Sequence, residues 1–171
     1  NFALRAAEKN QRVLVITKKK IAQSSTNFAQ GGIAAVLSQL DDYKKHVKDT
    51  MVAGAFHNDK RAVAYMVHHG PAAVRRLIEL GVPFAMQNGE LELTREGGHS
   101  ARRIAFVSDY TGRAIEKVLV EKAKKHPLIT IYEHTFAADL LVKNKICYGV
   151  SVIARSEATK QSRLDYFTPT S

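Results

Sequence analysis

Apolar positions recur along the chain with two periods, and the switches between them outline its elements. Residues 3–9 (Ala-Leu-Arg-Ala-Ala-Glu-Lys) are strong helix formers, and Asn10 suits a helix stop because asparagine tolerates the left-handed conformation found there. Arg12-Val13-Leu14-Val15-Ile16-Thr17 is a short β-rich apolar run. Helix then strand is the second half of a βαβ unit. Its first half, a strand and a G-x-G-x-x-G turn, is not in the chain, which begins inside the helix. Asp42 to Ala53 places Tyr43, Val47 and Met51 at helical spacing, with Gly54 as a stop. Asp59 is placed to cap a helix whose stripe is Ala62, Val63, Met66 and Val67. Gly70-Pro71 is expected to end that helix and start another, because proline is tolerated in a first turn; Val74, Leu77, Ile78 and Leu80 then face the core.

Asn88-Gly89 signals a tight turn before the alternating run Glu90 to Thr94, which reads as one half-buried strand. The loop Arg95 to Arg103 interrupts every regular pattern. Thr111-Gly112 opens a helix from Arg113 to Lys125, with Ile115, Val118, Leu119 and Ala123 on one face and His126-Pro127 at its end. Leu128 to Glu133 alternates as a strand. Phe136 to Val142 and Ile146 to Ile153 form a predicted hairpin around Asn144-Lys145. From Ala154 the periodicity weakens, so the expected division is a domain over 1–153 and an irregular tail over 154–171.

Composition narrows the class. At 171 residues and 45% apolar content, the chain suits one hydrophobic core or a piece of a larger one. No apolar run is long enough to cross a bilayer, and Asn1-Phe2-Ala3-Leu4-Arg5 lacks the order of a signal peptide, so a cytoplasmic protein without a membrane partner is expected. Cys147 has no internal partner and lies in an apolar run, where a buried inert thiol is expected. The net charge of +10 raises nucleic-acid binding, but Lys18-Lys19-Lys20, Arg75-Arg76, Arg102-Arg103 and Lys122 to Lys125 lie apart, with no interleaved aromatic platform. Specific nucleic-acid binding is therefore not expected. His46, His57, His68 and His69 lack the spacing of a metal set.

Ser24-Ser25-Thr26-Asn27-Phe28-Ala29-Gln30-Gly31-Gly32 concentrates hydroxyls, amides and a glycine pair, groups suited to holding a polar ligand. The following Ile33-Ala34-Ala35-Val36-Leu37 suits a buried helix start, whose N-terminus would favour negative charge. An ordered turn without a ligand is the plainer reading of the same residues.

The string STNFAQGGIAAVL, Ser25 to Leu37, resembles the flavin-contacting segment of the L-aspartate oxidase family, within the wider succinate dehydrogenase and fumarate reductase flavoprotein group. LTREGGHSARRI, Leu93 to Ile104, is similar to the family's other hallmark in content and spacing, and the likeness covers about residues 3 to 152. It implies an α/β fold: a partial Rossmann-like FAD-binding domain with inserted helices and a β-hairpin. It implies non-covalent FAD, contacted by Lys18, Ser25, Thr26, Asn27, Phe28, Ala29, Gln30, Gly31 and Gly32, with Phe136 and Ala137 at a main-chain contact near the adenine end. Lys18 stands where a dinucleotide fold more often has an acidic residue. Ser25 stands where the succinate dehydrogenase branch has the histidine that binds FAD covalently.

Glu96 is the implied catalytic-site residue, its carboxylate pairing with the ammonium of L-aspartate; a surface glutamate paired with Arg95 or Arg102 is the alternative. His99 and Ser100 would line the same loop, while Arg102 and Arg103 either neutralise diphosphate or brace the loop. The family's proton-transferring arginine and its carboxylate clamp come from segments beyond the point of divergence. The expectation is thus a fragment of an FAD-dependent L-aspartate oxidase, inactive alone. The parent reaction takes L-aspartate and O2 to iminoaspartate and H2O2 in de novo NAD biosynthesis, a pathway shared with quinolinate synthase. A non-catalytic binding module and a basic nucleic-acid binder are the competing classes.

Overall fold

A computed structural model describes residues 1–108, 110–155 and 162–167. In chain order the elements are α1 (Phe2–Ala7), β1 (Val13–Ile16), a 3₁₀ turn (Thr26–Phe28), β2 (Ile33–Ala34), α2 (Tyr43–Ala53), α3 (Lys60–Glu79) and β3 (Met86–Gln87). They continue with β4 (Glu90–Leu91), β5 (Leu93–Thr94), β6 (Ile104–Ala105), α4 (Thr111–Lys125), β7 (Ile129–Tyr132), β8 (Thr135–Lys143), β9 (Ile146–Arg155) and β10 (Ser162–Phe167). Residues 1–23 with 120–171 form one compact unit, and residues 24–119 form another.

The first unit contains the Rossmann-like remnant. α1 stops short of Asn10, which takes the left-handed conformation at φ 59°. β1 pairs in parallel with β7, Val13 opposite Ile129 and Ile16 opposite Tyr132. Parallel pairing is what a βαβ remnant requires. β8, β9 and β10 form an antiparallel sheet in which β9 is central. Asn144 and Lys145, at φ 51° and 63°, make the two-residue turn between β8 and β9, since a twisted hairpin needs left-handed residues at both positions.

Two expectations change in this unit. Cys147 is exposed rather than buried, because it lies on a hairpin that leaves Leu140, Val142 and Ile146 exposed too. The irregular tail expected from Ala154 contains β10, which pairs with β9 from Ser162 opposite Arg155 to Phe167 opposite Val150. Among the described residues β10 has one strand neighbour, β9. Residues 156–161 and 168–171 of that tail lie outside the described residues.

The second unit is built on a core of Ala35, Val74, Leu77, Val82, Phe84, Ala105 and Ile115, drawn from α3, α4, β6, the residue after β2 and the segment that follows α3. Asp42 and Asp59 cap α2 and α3 by accepting from backbone N–H groups of Lys45 and of Arg61 and Ala62. α3 does not break at Gly70-Pro71. Its buried stripe Val63, Val67, Pro71, Val74 and Leu77 follows four-four-three-three spacing across the proline, so burial on both sides holds one helix despite the lost N–H. Met66 and Ile78, read from sequence as core-facing, are exposed at its margins.

Ile33 and Ala34 form β2, not a helix start. They pair with Ala105 and Ile104 of β6, and the next N–H, that of Ala35, donates to Arg103 O. The run Glu90 to Thr94 is divided between β4 and β5 because the Glu92 N–H turns aside to donate to Ala85 O. Among the described residues no helix is long and apolar enough to cross a membrane.

Candidate functional site

Ser24 to Gly32 lies open to solvent along most of its length. Ser25, Thr26, Phe28, Ala29, Gln30 and Gly31 are exposed, with Ser24, Asn27 and Gly32 half-buried. The side chains of Ser25, Thr26, Asn27 and Gln30 have no hydrogen-bond partner among the described residues. The backbone beneath them is nevertheless held: the Asn27 N–H donates to Ser24 Oγ, the Ser24 hydroxyl donates to Glu116, and the Gly112 N–H donates to Ala29 O. Fixed backbone carrying free donors is the arrangement expected of a ligand-contacting turn.

The two glycines serve different ends. A Cβ on Gly32 would overlap the Ile104 side chain and come within 2.5 Å of Ala105 O, so Gly32 lacks a side chain because β6 packs against it. A Cβ on Gly31 would meet only the Glu96 carboxylate, at 3.8 Å from Oε1. Gly31 therefore keeps an open face, and Glu96 stands beside it. Glu96 is exposed and forms no ion pair among the described residues, so the pairing with Arg95 or Arg102 is not formed. Thr94, Arg95, Ser100, Ala101 and Arg102 line an open polar cleft of 650 Å³ in the same loop.

The loop is anchored by Arg103. Its guanidinium is fully buried and bidentate to Asp41, at 2.8 and 2.7 Å, with a third contact of 2.7 Å to Asp49. Asp49 also accepts from the Ser100 N–H and hydroxyl, at 2.8 and 2.7 Å. Of the two roles open to Arg103, bracing is the one it performs: its three short contacts go to carboxylates, and a fourth, at 3.4 Å, reaches His99 Nδ1 of the same loop. Burial pushes the Asp49 carboxyl up, but hydrogen bonds from Ser100 and Arg103, with the guanidinium charge, outweigh it and hold the pKa below the ordinary 3.8. Burial alone would lower the Arg103 pKa, but the hydrogen bonds to Asp41 and Asp49 and their charges outweigh it and hold the pKa above its ordinary value. Asp41 and Asp49 were not singled out from sequence. They stand 62 and 54 residues from Arg103, and only the tertiary fold joins them.

His46 is buried beside this brace, its Nδ1 without a hydrogen-bond partner among the described residues and its ring 5.8 Å from that of His99. Burial, then the charges of Arg103 and His99, depress its pKa below 6.5, against the opposing pull of Asp41 and Asp49. Because the folded pKa is depressed, the unfolded chain takes up this proton first. Stability is expected to be full above pH 6.5 and to fall as pH drops through 6.5 towards the folded value. His46→Gln should flatten that slope in urea melts between pH 5 and 7.5, by roughly one proton; an unchanged slope would refute the assignment.

In the first unit, two residues distant in sequence meet. The Thr17 N–H donates to Tyr132 O and the Thr135 N–H to Thr17 O, both at 2.9 Å, so the end of β1 is tied to the start of β8. This brings Lys18 Nζ to 5.3 Å from the Phe136 ring centroid, with Ala137 next along β8.

The sequence profile described as FAD binding domain matches residues 2–166. The chain belongs to this FAD binding domain family. Among its relatives, L-aspartate oxidase 2-b, chloroplastic, from Nicotiana tabacum is 46% identical over 157 residues, covering 89% of this chain and 24% of that protein. L-aspartate oxidase 1 of Ralstonia nicotianae is 44% identical over 153 residues, covering 84% and 29%. The solved structure of E. coli quinol fumarate reductase FrdA superposes with a TM-score of 0.87 at 28% identity, covering 98% of this chain and 28% of that one. The chain thus spans about a quarter of the length of the curated relatives it matches. Its residues fit the group the family is named for. The exposed, unpartnered donors of Ser25 to Gln30 and the open face of Gly31 suit a polar, flat ligand in the second unit, and Lys18 beside Phe136 suits an anionic, aromatic one in the first. Glu116, which holds the turn from below, carries no motif by which sequence alone would mark it, and Gly112 was legible there only as part of a helix start.

Proposed function

We propose that the chain is the flavin-binding portion of an FAD-dependent L-aspartate oxidase, holding FAD non-covalently through Lys18, Ser25 to Gly32, Phe136 and Ala137. The observation that carries this reading is Glu96 beside Gly31, which puts a free carboxylate next to the cofactor stretch. Bound FAD would supply the two-electron acceptor for dehydrogenation of the substrate amine, with O2 taking the electrons on to H2O2. The chain's own residues would do the rest. Ser25, Thr26, Asn27 and Gln30 donate to the cofactor's polar edge, and Glu96 accepts from the ammonium of L-aspartate and orients it. A succinate or fumarate site has no ammonium for such a carboxylate to meet.

The supply of iminoaspartate to quinolinate synthase belongs to the same reading, and a cytoplasmic setting is proposed beside it; the tobacco relative's own name places that protein in the chloroplast.

Two measurements test it. FAD loaded on the chain should leave intact in the supernatant after acid denaturation, since Ser25 offers no imidazole for a covalent link; flavin retained in the pellet would contradict this. With this segment grafted in place of its counterpart in the tobacco enzyme, Glu96→Gln should raise the KM for L-aspartate about tenfold or more, as loss of a charge-assisted hydrogen bond does, and leave inhibition by fumarate unchanged. Equal effects on both ligands would remove Glu96 from the ammonium site.

A further inference from the structure

We infer that Gly112 and Glu116, one turn apart on α4, are positioning residues that seat the Ser24–Ala29 turn and preset it for flavin; the purpose assigned to the seat rests on the flavin reading above. Residues four apart on a helix share a face, and this face is where the turn lies. Gly112 contributes closeness. Its N–H donates to Ala29 O at 3.0 Å, and a Cβ there would overlap Thr26 O and come within 2.8 Å of both Ala29 O and Ala29 Cβ. Two of the three crowding atoms are backbone oxygens, so the turn itself would have to move. Glu116 contributes a polar tie. It is buried, at 8% exposure, and accepts from the Ser24 hydroxyl, which in turn accepts from the Asn27 N–H.

The tie has no substitute. The second oxygen, Glu116 Oε1, is buried and has no partner among the described residues, where Ser24 is the carboxylate's one hydrogen-bond donor. The hydrogen bonds of the seat fall on Ser24, Asn27 N–H and Ala29 O, with Gly112 packed against Thr26 O, and the side chains they leave free are those of Ser25, Thr26, Asn27 and Gln30. A turn held at its base and bare at its rim gives up little further order when a ligand binds, which is how preorganisation raises affinity.

The test uses the whole chain, with FAD affinity read by flavin fluorescence and the turn read by amide hydrogen exchange. Glu116→Ala is expected to speed exchange at Asn27 and Ala29 and to weaken FAD binding about tenfold, while β1 and β7 amides stay protected. Glu116→Gln, which keeps an acceptor for the Ser24 hydroxyl, should restore FAD affinity to within about threefold of wild type. Gly112→Ala should abolish binding if it folds; if it does not, the two Glu116 variants decide alone. Wild-type exchange and affinity in folded Glu116→Ala would overturn the inference, as would failure of glutamine to rescue. A wild-type chain that takes up no FAD would instead overturn the flavin reading, and the exchange measurements would still show whether the seat holds the turn.

Discussion

Arg103→Ala is expected to lower the unfolding free energy by about 3–5 kcal/mol, the cost of stranding buried carboxylates without their partner. The figure lies at the upper end because the side chains of Arg103 and Asp41 are 0% and 1% exposed, so water cannot replace the guanidinium. Arg103→Lys should recover only part of the loss: a single ammonium cannot be bidentate to Asp41 while also reaching Asp49. Asp49→Asn should cost less, since Asp49 is the more exposed partner at 13%. The stabilising effect of Asp49 has its own pH signature. Its folded pKa is depressed, so the contribution is complete above the ordinary 3.8 and is lost as pH falls through the lower folded value. Urea titrations of the three variants measure this order, and a loss below about 1 kcal/mol in Arg103→Ala would mean that the brace is a surface pair after all.

The two adjacent glycines should respond in opposite ways. Gly32→Ala drives a methyl into Ile104 and against the Ala105 carbonyl, and overpacking against backbone costs typically 1–3 kcal/mol. Because β2 and β6 must separate to admit it, ordered packing of the Ser25 to Gln30 stretch should be lost as well, taking flavin affinity with it. Gly31→Ala meets nothing closer than the Glu96 carboxylate at 3.8 Å, so the fold should keep its melting temperature. Flavin affinity should still fall, because the methyl occupies the face left open beside Glu96. Thermal melts paired with FAD titrations separate the cases; equal stability losses in both variants would deny the division of roles.

Much of the scaffold was legible because local chemistry decides it. The Asp59 cap, the helix stop at Asn10 and the Asn144-Lys145 turn each act within a few residues of themselves. Where the reading failed, a distant partner had the deciding vote. Ile33-Ala34 looks helical by composition but is claimed by β6, some seventy residues on. Gly70-Pro71 looks like a break, yet burial of Val67 and Val74 on either side carries α3 through it. The candidate site divides the same way. The string from Ser25 to Gly32 and the Glu96 loop announce themselves by motif, and the structure joins Gly31 to Glu96 and Lys18 to Phe136. Asp41, Asp49 and Glu116 are ordinary acidic residues until the fold gives each one a partner.

The Ser25 to Gly31 stretch is the surface proposed to meet flavin. Amide chemical shifts of the chain, followed by NMR as FAD is added, test this most directly. Saturable shifts should concentrate on Ser25 to Gly31, with a second set at Lys18, Phe136 and Ala137, and with the buried Val74 and Leu77 amides unmoved. No saturable change, or changes that leave Ser25 to Gly31 untouched while affecting another surface, would contradict it.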